Sequence, residues 1–409
     1  MILTGLERLA RRPSLLNDYL GPGARVGLVA NPTALSSALE PAAFVLSRAC
    51  AASGARLSRL FGPEHGYRGE AQAGERVADY VDPESGLPVV SLYGESKRPD
   101  PARLADLDLV VYDLQDAGLR WYTYLGTLTR LLEALAGLPA GSRPGLLVLD
   151  RPNPLSGEAV EGPGLQAGFE SLVGPRDLPI RHGLTLGEYA LMQAGPLGLE
   201  GEVRVVTMEG WERRMDIADC GLPWVAPSPN LPSPESLRAY AATCLLEGCN
   251  VSEGRGTTKP FETFGAPWVD GPSLARAVNG LGIGGLRARP LFFVPSFSKY
   301  AGELCQGAQL YIERRSEAYG RLVEIGYFII TILSELYPAD FAALPPWKEG
   351  GKRPLSLLWG DDSLADMVAA PAAADGRSAK PAAPGRAAAY GSPRSEAFKA
   401  DSRPFLLYA

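Results

Sequence analysis

A short loop near residue 64 brings together two side chains that can transfer protons. Residues 60–69 read LFGPEHGYRG, so Glu64 and His65 lie among three glycines and a proline, directly after an apolar run typical of a strand. A carboxyl group held on a rigid loop at a sheet edge can act as a general acid. The alternative is a surface loop whose glutamate only hydrogen-bonds to backbone. Neither HxH nor HExxH spacing occurs, which disfavours a metal site.

A second segment, YDLQDAGLRWYTY, offers carboxylates, an arginine and several aromatic rings. Asp116, Arg120 and Tyr122 would suit a site for a sugar or an acid, because carboxylates bind hydroxyl groups, a guanidinium binds an anion and aromatic rings stack. The alternative is a helix start in which Asp116 is the N-cap and the aromatic residues belong to the core.

Two later loops combine glycine with charged side chains. LDRPNPLSGEAVEGP carries Arg151, Asn153 and Glu161, and SEGRGTTKPFE carries Glu253 and Arg255. The second does not match the phosphate-loop pattern GxxxxGK[ST], and no GxGxxG follows the first strand, so nucleotide binding is weakly supported. The absence of GxSxG argues against an α/β-hydrolase nucleophile. Ordinary turn chemistry is the alternative for both loops.

The elements that must position these loops follow from the apolar pattern. Runs of strand length are RVGLVAN, RLSRLF, LPVVSLY, DLVVYDL, GLLVLD and VRVVTM, starting at residues 25, 56, 87, 108, 145 and 203. Several are continuously apolar, as in strands buried on both faces. Helical patterns lie between them, one with Thr185 as a plausible N-cap. This alternation predicts a Rossmann-like, doubly wound α/β fold with a mainly parallel sheet.

Nearly every predicted strand leads into a loop with unusual chemistry. Asn31, Glu64 and Arg151 lie in such loops, and the second histidine of the chain, His182, also lies in a glycine-bearing loop. In doubly wound sheets ligands bind outside the carboxyl ends of the strands, so these loops should meet at one functional edge.

A change of pattern after about residue 215 predicts a second, smaller α+β domain. We divide the chain into an N-terminal helix (1–22), a Rossmann-like catalytic domain (23–215), a cleft-forming segment (216–272), a smaller α+β domain (273–366), a poorly ordered stretch rich in Ala, Pro and Gly (367–392) and a C-terminal return strand (393–409).

Composition excludes several classes of function. The chain has 409 residues, a net charge of -6 and no basic stripe, so nucleic acid is not an expected partner. The five cysteines form no CxxC pair, which disfavours a disulfide framework or a zinc site. No apolar run reaches the roughly 20 residues of a membrane span, and the first residues lack a secretory signal pattern, so we expect a cytoplasmic protein. A polar cleft without a cofactor fits a carbohydrate better than a nucleotide.

The motifs NPT, LFGPEHGYRG, SLYG, DLQDAGLRWYTY, VLDRPNPLSG, VEGP, PIRHGLTLGE, LPWVAPSPNLPS and EGCNVSEGRGTTKPFE occur in this order. Together they resemble the exo-β-N-acetylmuramidase family typified by NamZ, from about Val26 to the end of the chain. The resemblance implies an active site in the cleft between the two domains. It also implies a glycosidase that releases β-1,4-linked N-acetylmuramic acid from the non-reducing end of peptidoglycan fragments in cell wall recycling, without a metal or cofactor.

The resemblance makes Glu64 the candidate acid, with a second group acting on the other face of the sugar. Asp116, Glu161 and Glu253 are open alternatives for that group, and the acetamido group of the substrate is another.

The remaining roles concern substrate binding. The lactyl carboxylate of muramic acid needs a cation, and His65 and Tyr122 can position the sugar. The predicted binding residues are Asn31, Arg68, Arg120, Tyr122, Arg151, Asn153, Glu161, His182, Glu253 and Arg255.

The chain departs from the family pattern at Cys249, where threonine is more usual. The rival interpretations are a muropeptide-binding protein without activity and a glycosidase for another amino sugar. The sequence does not indicate an oligomeric state.

Overall fold

A computed structural model describes residues 2–72, 74–94, 98–369 and 393–409. Its larger sheet has the strand order β3-β4-β2-β1-β5-β6-β7, and every pair is parallel except β3 with β4. The strands are β1 (Arg25–Ala30), β2 (Arg56–Gly62), β3 (Tyr80–Val81), β4 (Pro88–Ser91), β5 (Leu109–Asp113), β6 (Gly145–Leu149) and β7 (Val203–Val206). The predicted fold class is confirmed. The chain reverses direction across the sheet between β1 and β5, which is the position where such folds open a crevice.

Helices cover both faces of this sheet. They are α1 (Gly5–Arg11), α2 (Ala42–Ala52), α3 (Thr123–Ala136) and α4 (Leu186–Leu197). Successive residues of β5 point to opposite faces, so Val111 packs in the cluster with α1 and α2, whereas Val110 packs in the cluster with α3 and α4. Burial on both faces explains why the strands are continuously apolar.

Helix α4 begins where the sequence predicts. The Thr185 hydroxyl accepts a hydrogen bond from the Glu188 amide, and the Glu188 carboxylate accepts one from the Thr185 amide. This reciprocal cap satisfies two amides at the helix start, and it fixes the direction in which the chain leaves the His182 loop.

The smaller unit is an antiparallel sheet with the strand order β8-β10-β9. It comprises β8 (Thr263–Ala266), β9 (Leu286–Phe293), β10 (Cys305–Ile312), α5 (Pro234–Thr243), α6 (Gly271–Asn279), α7 (Leu322–Leu336), α8 (Pro354–Trp359) and α9 (Ser363–Ala369). The apolar cluster on the α3 face continues into α5, α6 and α7. The two predicted domains are therefore joined by a shared core on that side.

The prediction of a C-terminal return strand is wrong. Residues Pro393–Ser402 form helix α10, and the residues after it run along the larger sheet without pairing as a strand. Side chain and backbone both hold this segment: the Tyr408 hydroxyl donates to the Asp150 carboxylate at 2.6 Å, and the Leu407 amide donates to the Glu188 carboxylate at 2.9 Å. The predicted poorly ordered stretch lies outside the described residues, except that 367–369 belong to α9. The predicted N-terminal helix is shorter than 1–22, because α1 ends at Arg11 and a 3₁₀ helix follows.

Within the described ranges, no helix combines the length and the apolar character needed to cross a bilayer.

Candidate active site

A cleft of about 970 Å³ opens between the carboxyl ends of the parallel strands and the smaller unit. Loops after β2, β4 and β5 supply one wall, and the loops around residues 253 and 297 supply the other. Of the predicted site residues, five line this cleft: Glu64, His65, Tyr122, Glu253 and Arg255.

Glu64 lies deep in the cleft on the loop that follows β2. Its side chain is 7 % exposed, and its Oε1 accepts a hydrogen bond from the Gly74 amide at 2.9 Å. The Tyr93 hydroxyl, at the end of β4, also hydrogen-bonds this carboxylate. Two contacts from separate loops hold the carboxyl group in one orientation, which a proton donor to a bound ligand requires.

His65 is held on the same turn in a left-handed backbone conformation, with φ of 72°. Such a conformation is uncommon for a residue other than glycine, and it recurs at functional sites. The imidazole Nδ1 lies 3.0 Å from the Ala71 carbonyl oxygen. Burial lowers the pKa of His65, although Glu64 and the Ala71 contact oppose the shift. The ring is therefore neutral at pH 7.

Aromatic rings form the floor of the cleft. Tyr240 makes edge-to-face contacts with Trp121, Tyr122 and Phe261, with ring centroids 6.2, 6.1 and 4.7 Å away. The indole Nε1 of Trp121 is buried without a hydrogen-bond acceptor among the described residues. An unpaired buried donor is costly, and Trp121 lines the cleft, so a ligand acceptor that reaches this N–H group would satisfy it.

The wall from the smaller unit is charged. Glu253 forms ion pairs with Lys299 at 2.9 Å and with Arg255 at 3.2 Å. Arg255 also pairs with Glu247, yet its Nη1 is buried and has no partner among the described residues. This nitrogen leaves part of the guanidinium without a protein acceptor, and Arg255 lines the cleft.

Arg120, which we expected to bind an anion, does not line the cleft. It is fully buried, and its guanidinium donates to four backbone carbonyls, those of Pro163, Leu178, Leu358 and Trp359, at 2.6–2.9 Å. The expected role as a carboxylate clamp is corrected: Arg120, just before α3, ties α8 to the segment between β6 and α4.

The other predicted arginines are also engaged away from the cleft lining. Arg151 pairs with Asp113 at the end of β5, and Arg68 pairs with Asp82 at 2.7 Å and with Glu84 at 2.6 Å. Both guanidinium groups are thus neutralised by carboxylates of their own neighbourhood.

Three predicted polar residues likewise have structural partners. Asn31 donates to the Tyr124 hydroxyl at 2.6 Å, Asn153 donates to the Leu184 carbonyl at 2.9 Å, and Glu161 pairs with the buried Arg181. None of the three lines the cleft. They brace the loops at the sheet edge, and their contact with substrate stays a prediction.

Asp116 and His182 form a buried pair behind the aromatic floor, outside the cleft lining. The Asp116 Oδ2 accepts from the Gly118 amide at 2.8 Å and lies 3.9 Å from the His182 Nε2. Burial raises the pKa of Asp116 to about 7 and lowers that of His182 to about 3. The alternative in which Asp116 caps a helix is wrong, because α3 begins at Thr123 with Tyr122 as its N-cap.

Several cleft residues were not identified from the sequence. They are Tyr93, Trp121, Tyr240, Phe261, Phe297, Lys299 and Trp347. Tyr93 and Trp121 lie in the motifs SLYG and GLRWYTY, so a signal was present for them. The aromatic and basic residues of the smaller unit look like ordinary core or surface positions in the sequence.

Among the residues that the structure describes, no group of three or more His, Cys, Asp or Glu side chains is arranged to hold a metal ion. The described cleft lining combines a buried carboxyl group, a neutral imidazole, an indole and a guanidinium. This set can bind a polyhydroxylated ligand with one negative charge and donate a proton to it.

Two family models together match almost the whole chain. They are the exo-β-N-acetylmuramidase NamZ N-terminal model over residues 26–235 and the corresponding C-terminal model over residues 238–408. The peptidoglycan β-N-acetylmuramidase NamZ of Bacillus subtilis (strain 168) is 42% identical over 335 residues, which cover 81% of this chain and 78% of that protein.

Two crystal structures of DUF1343 family proteins from Bacteroides fragilis NCTC 9343 have the same fold. One aligns with a TM-score of 0.83 at 32% identity, and the other with a TM-score of 0.71 at 27% identity. Each alignment covers 100% of this chain and 99% of the other.

Proposed function

The chain belongs to the exo-β-N-acetylmuramidase NamZ family, and we infer that it is a glycosidase that releases N-acetylmuramic acid from the non-reducing end of peptidoglycan fragments. The observation that carries this inference is the deep position of Glu64 in a cleft that Arg255 also lines. N-acetylmuramic acid is an amino sugar with a carboxylate, so it matches both features.

We propose that Glu64 is the acid of this reaction. Its proton passes to the glycosidic oxygen while the bond from that oxygen to the anomeric carbon breaks. A water molecule then supplies its hydroxyl group to the anomeric carbon, and the remaining proton of that water returns to Glu64. The support for this role is the position of Glu64 and its two fixed contacts, from Gly74 and Tyr93.

The partner on the other face of the sugar is proposed from the cleft lining. Of the three carboxylates considered, Glu253 alone lies in the described lining, whereas Asp116 and Glu161 lie behind it. Glu253 is held between Lys299 and Arg255, and a carboxylate fixed in this way can stabilise positive charge on the sugar ring. An attack by the acetamido group of the substrate would leave Glu253 to orient that group.

Arg255 is the proposed ligand of the lactyl carboxylate, and Trp121 and Tyr122 are proposed to contact the sugar from the floor. A guanidinium suits this task because it presents several N–H donors in one plane. The support is that Arg255 and Trp121 both line the cleft and that each has one buried nitrogen, Nη1 and Nε1 respectively, without a hydrogen-bond partner among the described residues.

The test is turnover of a β-N-acetylmuramide and of the matching β-N-acetylglucosaminide by the purified full chain. We expect release from the muramide, with Glu64→Gln reducing kcat by roughly 100-fold or more while KM stays within about threefold. The matched control is Glu75→Gln, since Glu75 is another carboxylate of the cleft lining and hydrogen-bonds to the Gln72 amide.

Three results would contradict this assignment. Glucosaminide turnover without muramide turnover would refute the substrate. Saturable binding of the muramide without turnover would identify a binding protein instead of an enzyme. Equal kcat for Glu64→Gln and the wild type would exclude Glu64 as the acid.

A further inference from the structure

The exposure of the cleft residues increases from its floor to its mouth. Glu64 is 7 % exposed, whereas Phe297 is 40 % and Trp347 is 80 % exposed, and all three line the same cleft. An enzyme that removes a terminal sugar takes that sugar into the closed end, next to the acid. The sugar that leaves, and any chain attached to it, must then point toward the mouth.

The loop that carries Trp347 is anchored on both sides. Before it, the Leu344 amide donates to the Gly248 carbonyl at 2.8 Å. After it, the Lys352 ammonium group lies 3.9 Å from the centre of the Phe169 ring. The ring of Trp347 is thus presented to solvent from a fixed loop, although a side chain of this size is normally mostly buried.

Phe297 is held beside Arg255 by a close backbone approach. The Ser296 amide donates to the Gly256 carbonyl at 2.9 Å, and a Cβ added at Gly256 would lie 2.6 Å from the Phe297 amide nitrogen. Only glycine permits this approach, because Gly256 also has a φ of +79°. The next residue, Ser298, has a left-handed φ of 71° and also lines the cleft. Local strain of this kind recurs where a side chain must be aimed.

We propose that Phe297 and Trp347 form an aromatic platform that binds the leaving sugar and the sugar beyond it. This inference rests on the proposed function. Pyranose rings carry a face of C–H bonds that packs against an aromatic face, whereas their hydroxyl groups stay in water at the rim. The cleft volume of about 970 Å³ is at the upper end for a site that holds one small ligand, which leaves space for sugars beyond the terminal one.

The platform predicts a preference for glycan chains over single muramides. The assay compares two substrates, with released N-acetylmuramic acid as the readout. One is the methyl β-glycoside of N-acetylmuramic acid. The other is a peptide-free tetrasaccharide of alternating N-acetylmuramic acid and N-acetylglucosamine, with N-acetylmuramic acid at its non-reducing end. Phe297→Ala and Trp347→Ala should each raise KM for the tetrasaccharide about three- to tenfold and leave kcat/KM for the methyl glycoside unchanged. Trp347→Phe should restore most of the tetrasaccharide affinity.

The matched control is Phe292→Ala, because Phe292 is 64 % exposed on β9 but does not line the cleft. Equal losses on both substrates, or no loss on either, would overturn the platform while the muramidase activity stands. A wild-type chain that turns over neither muramide would refute the proposed function, and the platform with it.

Discussion

Replacement of Arg255 by alanine should remove the preference of the enzyme for a free lactyl carboxylate. The guanidinium pairs with Glu247 and Glu253 and lies over the Phe261 ring, with 5.1 Å to its centroid, so it is fixed before a ligand arrives. Burial alone would lower the pKa of Arg255, but Glu247 and Glu253 outweigh it and raise that pKa, so the group stays charged at any working pH.

The expected change in kcat/KM follows from the one unpaired nitrogen of the Arg255 guanidinium, Nη1. A hydrogen bond to a charged group contributes about 1.5–3 kcal/mol, which corresponds to about 10- to 150-fold in kcat/KM. The assay compares a β-N-acetylmuramide with the same compound whose lactyl carboxylate is converted to a neutral amide. The wild type should prefer the acid by this factor, and Arg255→Ala should show no preference.

The ratio of the kcat/KM values for the acid and the amide is insensitive to general damage to the cleft, because both substrates are assayed with the same variant. The matched control is Arg68→Ala, since Arg68 pairs with Asp82 and Glu84 outside the cleft lining and should keep the wild-type ratio. A wild-type ratio in Arg255→Ala would refute the reasoning and exclude Arg255 as the carboxylate ligand.

Three further predictions concern stability. Arg120→Ala should lower the free energy of unfolding by about 3–5 kcal/mol in urea titrations, because four backbone carbonyls lose their donor. An unchanged urea midpoint would contradict the structural role of Arg120. Gly256→Ala should lower the melting temperature more than Gly302→Ala. Both glycines have a φ near +80°, but of these two only Gly256 has atoms close enough to clash with an added Cβ. Equal melting temperatures would mean that the loop moves to relieve the clash. Burial raises the pKa of Asp116 to about 7, so the Asp116 carboxyl group binds more protons in the folded state than in the unfolded state between about pH 4 and pH 7, and its contribution to stability falls as pH rises through that window. Asp116→Asn should therefore gain melting temperature relative to the wild type from pH 4 to pH 8, and a constant difference would mean that Asp116 has the same pKa in both states.

The sheet and its functional edge could be predicted from the sequence because both depend on local patterns. Continuous apolar runs mark strands buried on two faces, and the loops rich in Gly, Pro and charge come at their carboxyl ends. Glu64 and His65 were found in this way, and both lie in the described cleft.

The roles of the arginines could not be predicted in the same way. Arg120 and Arg255 both lie in polar, glycine-bearing motifs, yet the guanidinium of Arg120 meets carbonyls of Leu358 and Trp359, more than 200 positions away. Only the tertiary fold determines that the Arg120 guanidinium is hydrogen-bonded to backbone carbonyls, whereas Arg255 lines the cleft. Phe297 and Trp347 could not be predicted for a similar reason, since the neighbouring residues in the sequence do not determine whether an aromatic ring is exposed.

The contact between Tyr408 and Asp150 has a consequence for synthesis of the protein. The two residues are 258 positions apart, so at 5–20 residues per second the ribosome adds Tyr408 roughly 10–50 s after Asp150. During that interval the Asp150 carboxylate, at the carboxyl end of β6, lacks the Tyr408 hydroxyl as a donor, although the first strands of the nascent chain have already been synthesised. A product that terminates before residue 408 lacks this donor, and its Asp150 carboxylate is then held by the Thr185 hydroxyl and the Gly187 amide without the tyrosine.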